Sequence, residues 1–252
     1  SEHLVDSNLK GHDSHGVWRI PKYIQSIRNG YVKWDDRDIT RETPVLLTID
    51  GRGANGVVAL TQTVKLALKK ASLSTICIAG LHNVTHMGRL GDFPSRIAEQ
   101  GMVGMVWTNT GSIFLAPFGS ADRRLRPNPI AFAVPRRGRS PFMLDMTLSV
   151  VAGGKVEQKR VRKEPIPEGW LINQHGSYVT EGEEYDDPDV GMLPLGGLQF
   201  GHKGHGLAMM MDMIVGPLSL AGCTTMEKGG DGALVFAIDI KSFTDIDTYL
   251  DE

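Results

Sequence analysis

Residues 45–81 read VLLTIDGRGANGVVALTQTVKLALKKASLSTICIAGL, and this stretch decides which fold class the chain can have. Its hydrophobic pattern predicts a strand at 45–50, a glycine turn at 51–56, a helix at 57–71 and a second strand at 75–81. The same order of elements begins a Rossmann domain, in which the glycine turn binds a dinucleotide. The choice between a Rossmann domain and another arrangement therefore depends on the glycines.

Gly51, Gly53 and Gly56 match the pattern G-x-G-x-x-G. The Rossmann fingerprint also needs an acidic residue roughly 20 positions further on, at the end of the second strand, to bind the ribose hydroxyls. This chain has Leu81 and His82 there. We therefore interpret the glycines as a tight turn and do not assign a Rossmann domain.

The remaining elements follow from the same hydrophobic and turn patterns. There are also two charged stretches, a basic run at 155–163 and an acidic loop at 181–189. The negative charge of the loop offsets the positive charge of the run, so we interpret both as solvated surface. The predicted elements are helical character at 1–10, a helix at 16–28 that Asn29-Gly30 ends, a helix at 90–100, strands at 102–109 and 127–135, a strand from 142 that runs into a turn or helix start at 155, an apolar helix at 207–221, a strand at 232–240 and a helix at 243–250.

The composition is that of an ordinary globular protein, with 252 residues, 41% hydrophobic content and a formal net charge of -2. This charge gives no reason to expect nucleic acid or an anionic membrane surface as a partner, so a small ligand is favoured. Cys77 lies in an apolar run and Cys223 follows one, which is typical of reduced thiols and predicts a cytoplasmic protein. The longest apolar segment contains Asp212 and Pro217 and is too short to span a bilayer.

The stretch GHDSHGVWRIPKY, residues 11–23, is the first candidate for chemistry. On a helix begun near Ser14, His15 and Arg19 would share one face, with Tyr23 one turn further along. His15 could exchange a proton near neutral pH, Arg19 could bind a planar carboxylate, and Ser14 could cap the helix or orient the imidazole. The alternative is an N-cap serine followed by surface side chains.

Three further stretches carry polar groups at element ends. His86 follows a strand in a loop rich in glycine and asparagine, where active sites are often found. Asp145 ends an apolar strand and could bind ribose or cap the next helix. Lys203 and several glycines precede the apolar helix, and a helix start beside a lysine suits a pyrophosphate.

Two reaction classes could use these residues. A dehydrogenase needs an acid or base, a cation for the substrate carboxylate and a dinucleotide site. A metal-dependent hydrolase would use histidine ligands, although no HExxH pattern is present. Spacing alone does not decide between them. The histidine pairs with suitable spacing are His12/His15, His82/His86 and His202/His205.

Six ordered motifs resemble the malate/L-lactate dehydrogenase family of NAD(P)-dependent 2-oxoacid reductases, which is unrelated to the Rossmann-type dehydrogenases of the same names. The resemblance covers nearly the whole chain and implies an α+β fold, with an unusual, non-Rossmann nucleotide-binding mixed sheet domain (44–240), a helical domain built from both chain termini (1–43 and, as its start, 241–252) and a homodimer. The motifs are GHDSHGVWRIPKY, HNVTHMGRLGDF, LAPFGS through RPNPIAFAVP, FMLDMTLS, IPEGW and LPLGGLQFGHKGHGLAMMMDMIVGPLSLAG.

The resemblance also implies site roles. His15, assisted by Ser14, is expected to exchange the proton at the substrate oxygen, with His86 as a second acid/base candidate. Arg19 is expected on the substrate carboxylate, with Tyr23 nearby. No metal is expected. The cofactor, NAD or NADP with NAD slightly favoured, is expected to contact Thr110, Asp145, Met146, Thr147, Trp170, His202, Lys203 and Gly204.

The expected reaction is hydride transfer between the nicotinamide and C2 of a small 2-hydroxy or 2-oxo acid. The family also includes sulfolactate and ureidoglycolate dehydrogenases, diketogulonate reductase and a reductase of a cyclic imine carboxylate, piperideine-2-carboxylate, so the substrate stays open. This chain departs from the family pattern at Arg126-Pro127 and in the LDMTLS stretch, and each of these two departures could alter cofactor fit. It also departs at Asn173 and at Asp212. Family chains extend beyond both ends of this sequence, so we expect a shortened chain that could be inactive.

Overall fold

The computed structural model describes residues 1–33, 37–109, 113–224 and 230–252. For Glu183 it describes the backbone alone. Short 3₁₀ helices cover Asp13–His15, Val17–Arg19, Gly182–Asp186 and Ile240–Ser242. The helices are α1 (Glu2–Leu9), α2 (Ile20–Arg28), α3 (Gly56–Ser74), α4 (Asp92–Ala98), α5 (Gly153–Val161), α6 (Gly197–Ser219) and α7 (Ile246–Asp251). The strands are β1 (Asp38–Glu42), β2 (Leu46–Ala54), β3 (Ile76–Val84), β4 (Met102–Asn109), β5 (Ile130–Arg136), β6 (Arg139–Met146), β7 (Leu171–Asn173), β8 (Val190–Met192) and β9 (Asp231–Asp239).

Seven strands form one mixed sheet in the order β1-β2-β3-β9-β4-β5-β6, and β7 and β8 form a separate pair. In the large sheet β2 and β3 are parallel, with α3 between them in sequence, and the other neighbouring strands are antiparallel. A doubly wound Rossmann sheet is mostly parallel, with helices connecting its strands. The fold is therefore α+β with a mixed sheet, as predicted.

Helices cover both faces of this sheet. Along β9, Ala233, Val235 and Ala237 face a core that contains α3 and α4, whereas Leu234 and Phe236 face a second core that contains α6. Alternate residues of a strand point to opposite faces, which places α3 and α4 on one side and α6 on the other. No helix in the described ranges is both long and apolar enough to cross a membrane.

The predicted glycine turn at 51–56 is wrong, because β2 continues through Gly51 and Gly53 to Ala54. Pairing with β3 shifts register between Asp50 and Ala54, so the glycines lie in a bulge within the strand. A Cβ on Gly51 would lie 2.2 Å from Cγ1 of Val84 on the neighbouring strand. The G-x-G-x-x-G match therefore reflects close strand packing and not a phosphate loop.

The helix predicted at 16–28 is confirmed from Ile20 to Arg28, with Asn29 as its C-cap, but its predicted start is wrong. Gly16 is extended, with φ -89° and ψ -153°, and separates two 3₁₀ turns that precede α2. The side chain of Asn8 occupies the space beside it: its Oδ1 accepts the Val17 N–H at 2.9 Å and would lie 2.1 Å from a Cβ on Gly16. Ser14 consequently caps no helix, and His15 and Arg19 do not share a helical face.

The long apolar helix starts ten residues earlier than predicted. α6 begins at Gly197, so Lys203 lies inside the helix and not before it. The glycines of this helix allow close packing, since a Cβ on Gly204 would lie 2.5 Å from the backbone of Leu195. The division into residues 1–43, 44–240 and 241–252 stays a prediction, and its first segment contains β1, which pairs with β2.

Candidate functional site

A cavity of about 840 Å³ lies where the 3₁₀ turns, the loop after β3, the end of β6 and the start of α5 meet. Its volume falls in the range of about 300–1,000 Å³ that small-molecule sites occupy. Most of the residues predicted from the sequence line it. They are Ser14, His15, Arg19, Tyr23, His86, Asp145, Met146, Thr147 and Trp170.

His15 is oriented by the residue before it. Its Nδ1 lies 3.0 Å from Oγ of the buried Ser14. Burial and, as the next largest cause, the positive charge of Arg19 together lower the pKa of His15 to about 3. His15 is therefore a neutral imidazole at neutral pH, able to accept a proton from a ligand.

His86 lies directly against His15. The two rings stack with centroids 5.4 Å apart and an angle of 21° between their planes. Burial, followed by the nearby His15 and Arg19, holds the pKa of His86 well below its usual value. Nδ1 of His86 lies 2.8 Å from the Tyr23 hydroxyl, so Tyr23 contacts a catalytic candidate directly.

Arg19 is buried, with 8% of its surface exposed, and still reaches the cavity. Its Nε donates to the carbonyl of Ser14 at 2.6 Å, which fixes the plane of the guanidinium. The nearest carboxylate among the described residues is that of Glu157, whose Oε2 is 3.8 Å from Nη1 and beyond hydrogen-bond distance. Two terminal nitrogens thus remain for an anion.

The start of α5 forms the wall next to Arg19. A Cβ on Gly154 would lie 2.6 Å from Arg19 Nη2 and 3.2 Å from Cβ of Ser14, so this close approach requires glycine. Gly153 and Gly154 are the first two residues of α5, and no side chain caps this end. Their backbone N–H groups have no acceptor within the described ranges. A guanidinium and a helix N-terminus therefore face the same space, an arrangement suited to an anion.

Asp145 and Thr147 line the cavity at the end of β6. Asp145 Oδ2 accepts the Gly91 N–H at 2.7 Å, so Asp145 does not cap the following helix, α5. Burial raises the pKa of Asp145, against the effect of the Gly91 hydrogen bond. The Thr147 hydroxyl lies 2.9 Å from Ser149 Oγ and donates to the Pro127 carbonyl at 3.3 Å. Polar groups here could bind the hydroxyls of a ribose.

The structure does not bring the α6 residues to the cavity. His202 is exposed and packs edge-on against Phe118, and the Lys203 ammonium lies 5.5 Å from the centre of the Phe200 ring. Gly204 packs against Leu195, which does line the cavity. Thr110 lies outside the described residues. The cofactor roles of these four residues stay predictions.

Sequence reasoning missed several residues of the cavity wall. The run at 155–163 was interpreted as solvated surface, but it begins in α5, and Lys155, Glu157 and Arg160 line the cavity. Arg160 pairs with Asp186 of the acidic loop, so the two charged stretches do meet. The available signal was the sequence Gly-Gly-Lys after an apolar strand, which is typical of an anion-binding helix start.

Of the positions that depart from the family pattern, Pro127 lines the cavity, whereas Arg126 and Asp212 have partners elsewhere. Arg126 is buried, and its Nη1 donates to Asn109 Oδ1 at 2.7 Å. Asp212 accepts hydrogen bonds from the Thr224 hydroxyl at 2.7 Å and from its N–H at 3.0 Å. Neither side chain lines the cavity, so neither alters its shape directly.

Across the part of the chain that is described, no three side chains of His, Cys, Asp or Glu come together as a metal site would require. His15 and His86 do meet, but as stacked rings with Ser14 and Tyr23 on their Nδ1 atoms.

Comparison with known proteins identifies the family of this chain. The chain matches the Malate/L-lactate dehydrogenase profile over residues 1–252. It is 38% identical to a malate dehydrogenase of Pyrococcus abyssi, across 99% of this chain and 71% of that protein. It superimposes on a malate dehydrogenase from Entamoeba histolytica with a TM-score of 0.91 and 26% sequence identity, across 99% of this chain and 73% of that chain. It also superimposes on a delta1-piperideine-2-carboxylate reductase from Pseudomonas syringae with a TM-score of 0.83 and 26% sequence identity, across 94% of this chain and 73% of that chain. The chain belongs to the malate/L-lactate dehydrogenase family.

Proposed function

We propose that this protein is an NAD(P)-dependent oxidoreductase that acts on the CH–OH group of a small 2-hydroxy acid and, in reverse, on the 2-oxo acid. One observation carries the proposal: Arg19, His15 and His86 line a single cavity and combine an anion-binding group with two neutral imidazoles. Membership of a dehydrogenase family supports the same reaction class.

The residues that line the cavity support a nicotinamide dinucleotide as the cofactor. Asp145 and Thr147 offer groups for ribose hydroxyls, Trp170 offers an aromatic surface, and Lys155 and Arg160 offer positive charge for phosphates. When bound, the nicotinamide accepts or supplies a hydride at C2 of the acid. We propose NAD or NADP, bound by these residues.

The chain's own residues would do three things. Arg19 and the N–H groups of Gly153 and Gly154 would bind the substrate carboxylate, because they face the same space. This orientation would bring the C2 oxygen toward the paired imidazoles. His15 or His86 would exchange the proton of that oxygen.

Titration of the purified protein with NADH and NADPH tests the proposal. Binding should appear as enhanced fluorescence of the reduced nicotinamide, and Trp170→Phe should raise the Kd while Trp18→Phe, at an exposed position, should not. A panel of 2-oxo acids should then show loss of cofactor absorbance with at least one acid. If the folded protein binds neither nucleotide, the proposal is wrong.

A second candidate within the same chemistry is reduction of a cyclic imine carboxylate. The similarity to the piperideine-2-carboxylate reductase structure favours including it, and the carboxylate site would serve both substrates. The same absorbance assay with a cyclic imine carboxylate distinguishes the two, because the preferred substrate gives the higher kcat/KM.

We also propose a homodimer, as the family resemblance implies. The support in the structure is a set of exposed apolar side chains on α6, of the kind that protein interfaces cover. Sedimentation equilibrium at micromolar concentration should give twice the monomer mass. The exposed apolar side chains on α6 are those of Leu207, Met209, Met210, Met213 and Leu218.

The cytoplasmic location stays a prediction from Cys77 and Cys223, which are both free.

A further inference from the structure

The two histidines of the cavity differ in what surrounds their Nδ1 atoms. The backbone N–H of Gly88 points at Nδ1 of His86 from 3.3 Å. A backbone N–H can only donate, so this nitrogen accepts and the proton of the neutral ring lies on Nε2. The Tyr23 hydroxyl, 2.8 Å away, is then a second donor to the same nitrogen. Nε2 is the nitrogen of His86 that remains for a ligand.

His15 has a partner that permits either state. Its Nδ1 faces the Ser14 hydroxyl, which can donate to an unprotonated nitrogen or accept from a protonated one. Gaining a proton on His15 therefore breaks no hydrogen bond at Nδ1. A proton on Nδ1 of His86, in contrast, would face the N–H of Gly88.

The Gly88 N–H is held in place by its own neighbours. Gly88 has φ +74°, and the next N–H, of Arg89, donates to Nε2 of His3 at 3.0 Å. Nδ1 of His3 is anchored in turn on the Asp92 carboxylate at 2.7 Å. The segment from His86 to Arg89 thus lies between two imidazole rings, and Gly88 cannot turn its N–H away without breaking this arrangement.

Building on the proposed function, we propose that Tyr23 and the Gly88 N–H fix His86 as the neutral Nε2–H tautomer, so that His86 donates a hydrogen bond to the substrate oxygen while His15 exchanges the proton. In the oxidation direction the hydroxyl O–H bond breaks, its proton goes to the ring nitrogen of His15 opposite Ser14, and the electron pair of that bond forms the carbonyl as hydride leaves C2 for the oxidised nicotinamide. Tyr23 is a positioning residue in this scheme and does not contact the carboxylate.

Nitrogen NMR of the protein labelled with ¹⁵N-histidine tests the tautomer without cofactor or substrate. The resonances of His86 are those that disappear in His86→Gln. At neutral pH they should show a protonated Nε2 and an unprotonated Nδ1. Tyr23→Phe should shift Nδ1 of His86, and Tyr178→Phe, which changes an exposed tyrosine, should leave it unchanged. A ring protonated on Nδ1 would overturn the proposal.

Turnover tests the division of roles. Glutamine keeps an N–H donor but cannot exchange a proton, so His86→Gln should lower kcat only about tenfold, whereas His15→Gln should lower it on the order of 10²- to 10⁴-fold. Tyr23→Phe should lower kcat and leave KM for the acid unchanged. Equal losses in the two glutamine variants, or a raised KM with unchanged kcat in Tyr23→Phe, would overturn the proposal. If the wild type turns over no acid, the proposed function fails, and the NMR result still decides the tautomer.

Discussion

At the scale of single residues, the surroundings of Arg19 orient its guanidinium group and shield it from water. Its Nε bond to the Ser14 carbonyl fixes the guanidinium plane, and burial keeps water from competing for the free nitrogens. A buried planar fork of this kind binds a carboxylate with two parallel hydrogen bonds, which a lysine cannot form.

We therefore expect Arg19→Lys to raise KM for the acid by about tenfold or more and to change kcat less, since hydrogen bonds to charged groups contribute about 1.5–3 kcal/mol. Steady-state kinetics with the preferred acid measures this. Arg28→Lys, an exposed position at the end of α2, is the matched control and should leave KM unchanged. An unaltered KM in Arg19→Lys would remove Arg19 from the carboxylate site.

The pKa of His15 gives a second prediction. Burial and the charge of Arg19 lower this pKa to about 3, so His15 stays competent as a base well below pH 6.5. The kcat/KM for oxidation, which reports the free enzyme, should show no loss near pH 6.5. A bound carboxylate offsets the charge of Arg19, so the acid limb of kcat should lie at higher pH than that of kcat/KM. Profiles recorded over the pH range in which circular dichroism is unchanged check both statements, and a kcat/KM limb near pH 6.5 contradicts them.

At the scale of elements, the sequence predicted those whose pattern is local. β4 occupies Met102–Asn109, as its apolar run predicted. β1 was missed because all five residues of DITRE are exposed, and only pairing with β2 makes this edge segment a strand. The start of α6 was missed because Gly201 and Gly204 disfavour helix in isolation, whereas packing against Pro194 and Leu195 requires them.

Local sequence patterns were equally limited in predicting the site. His15 and Arg19 were found because one short motif carries them, and His86 because a second motif does, but their partners come from distant segments. Tyr23 reaches His86 across 63 positions in the sequence, and Gly91 reaches Asp145 across 54. Such contacts depend on how the loop after β3 and the end of β6 meet, which no local pattern encodes.

The start of α5 offers a test at this scale. Gly154→Ala should raise KM for the acid without weakening the cofactor, because its Cβ would displace Arg19 Nη2 from 2.6 Å away. Gly153→Ala is the matched control: it gives the same gain in helix propensity, but its Cβ would meet only the Tyr185 hydroxyl, at 3.1 Å. Kinetics and a nucleotide titration of both variants measure the difference. Equal KM values would show that the approach of Arg19 to α5 does not shape the site.

At the scale of the whole molecule, the active-site histidines link catalysis to stability. The fold holds His15, in the first 3₁₀ turn, and His86, in the loop after β3, as half-buried neutral rings, and both pKa values fall below that of a free histidine. The unfolded chain takes up protons on these residues from about pH 6.5 downward, whereas the native state does not. The unfolded state therefore binds more protons, and the free energy of unfolding falls as pH falls through this range. Asp92 affects stability at a lower pH. Burial raises its pKa, but the hydrogen bonds from His3 and Arg96 hold this pKa at about 2, so the contribution of Asp92 to the free energy of unfolding is lost only below about pH 4.

Urea unfolding at pH 7 and pH 5 should therefore show a loss of stability to which both histidines contribute, about 2 kcal/mol of it from His15, whose pKa is about 3. His86→Gln removes one of the two histidines, so its loss of stability between the two pH values should be smaller than that of the wild type. The comparison is robust to any change that the variant makes in absolute stability, because only the difference between the two pH values is read. His175→Gln, at an exposed histidine, is the control and should keep the wild-type difference. If His86→Gln loses as much stability as the wild type, His86 is not held neutral by the fold, and the tautomer assigned to it would lose its structural basis.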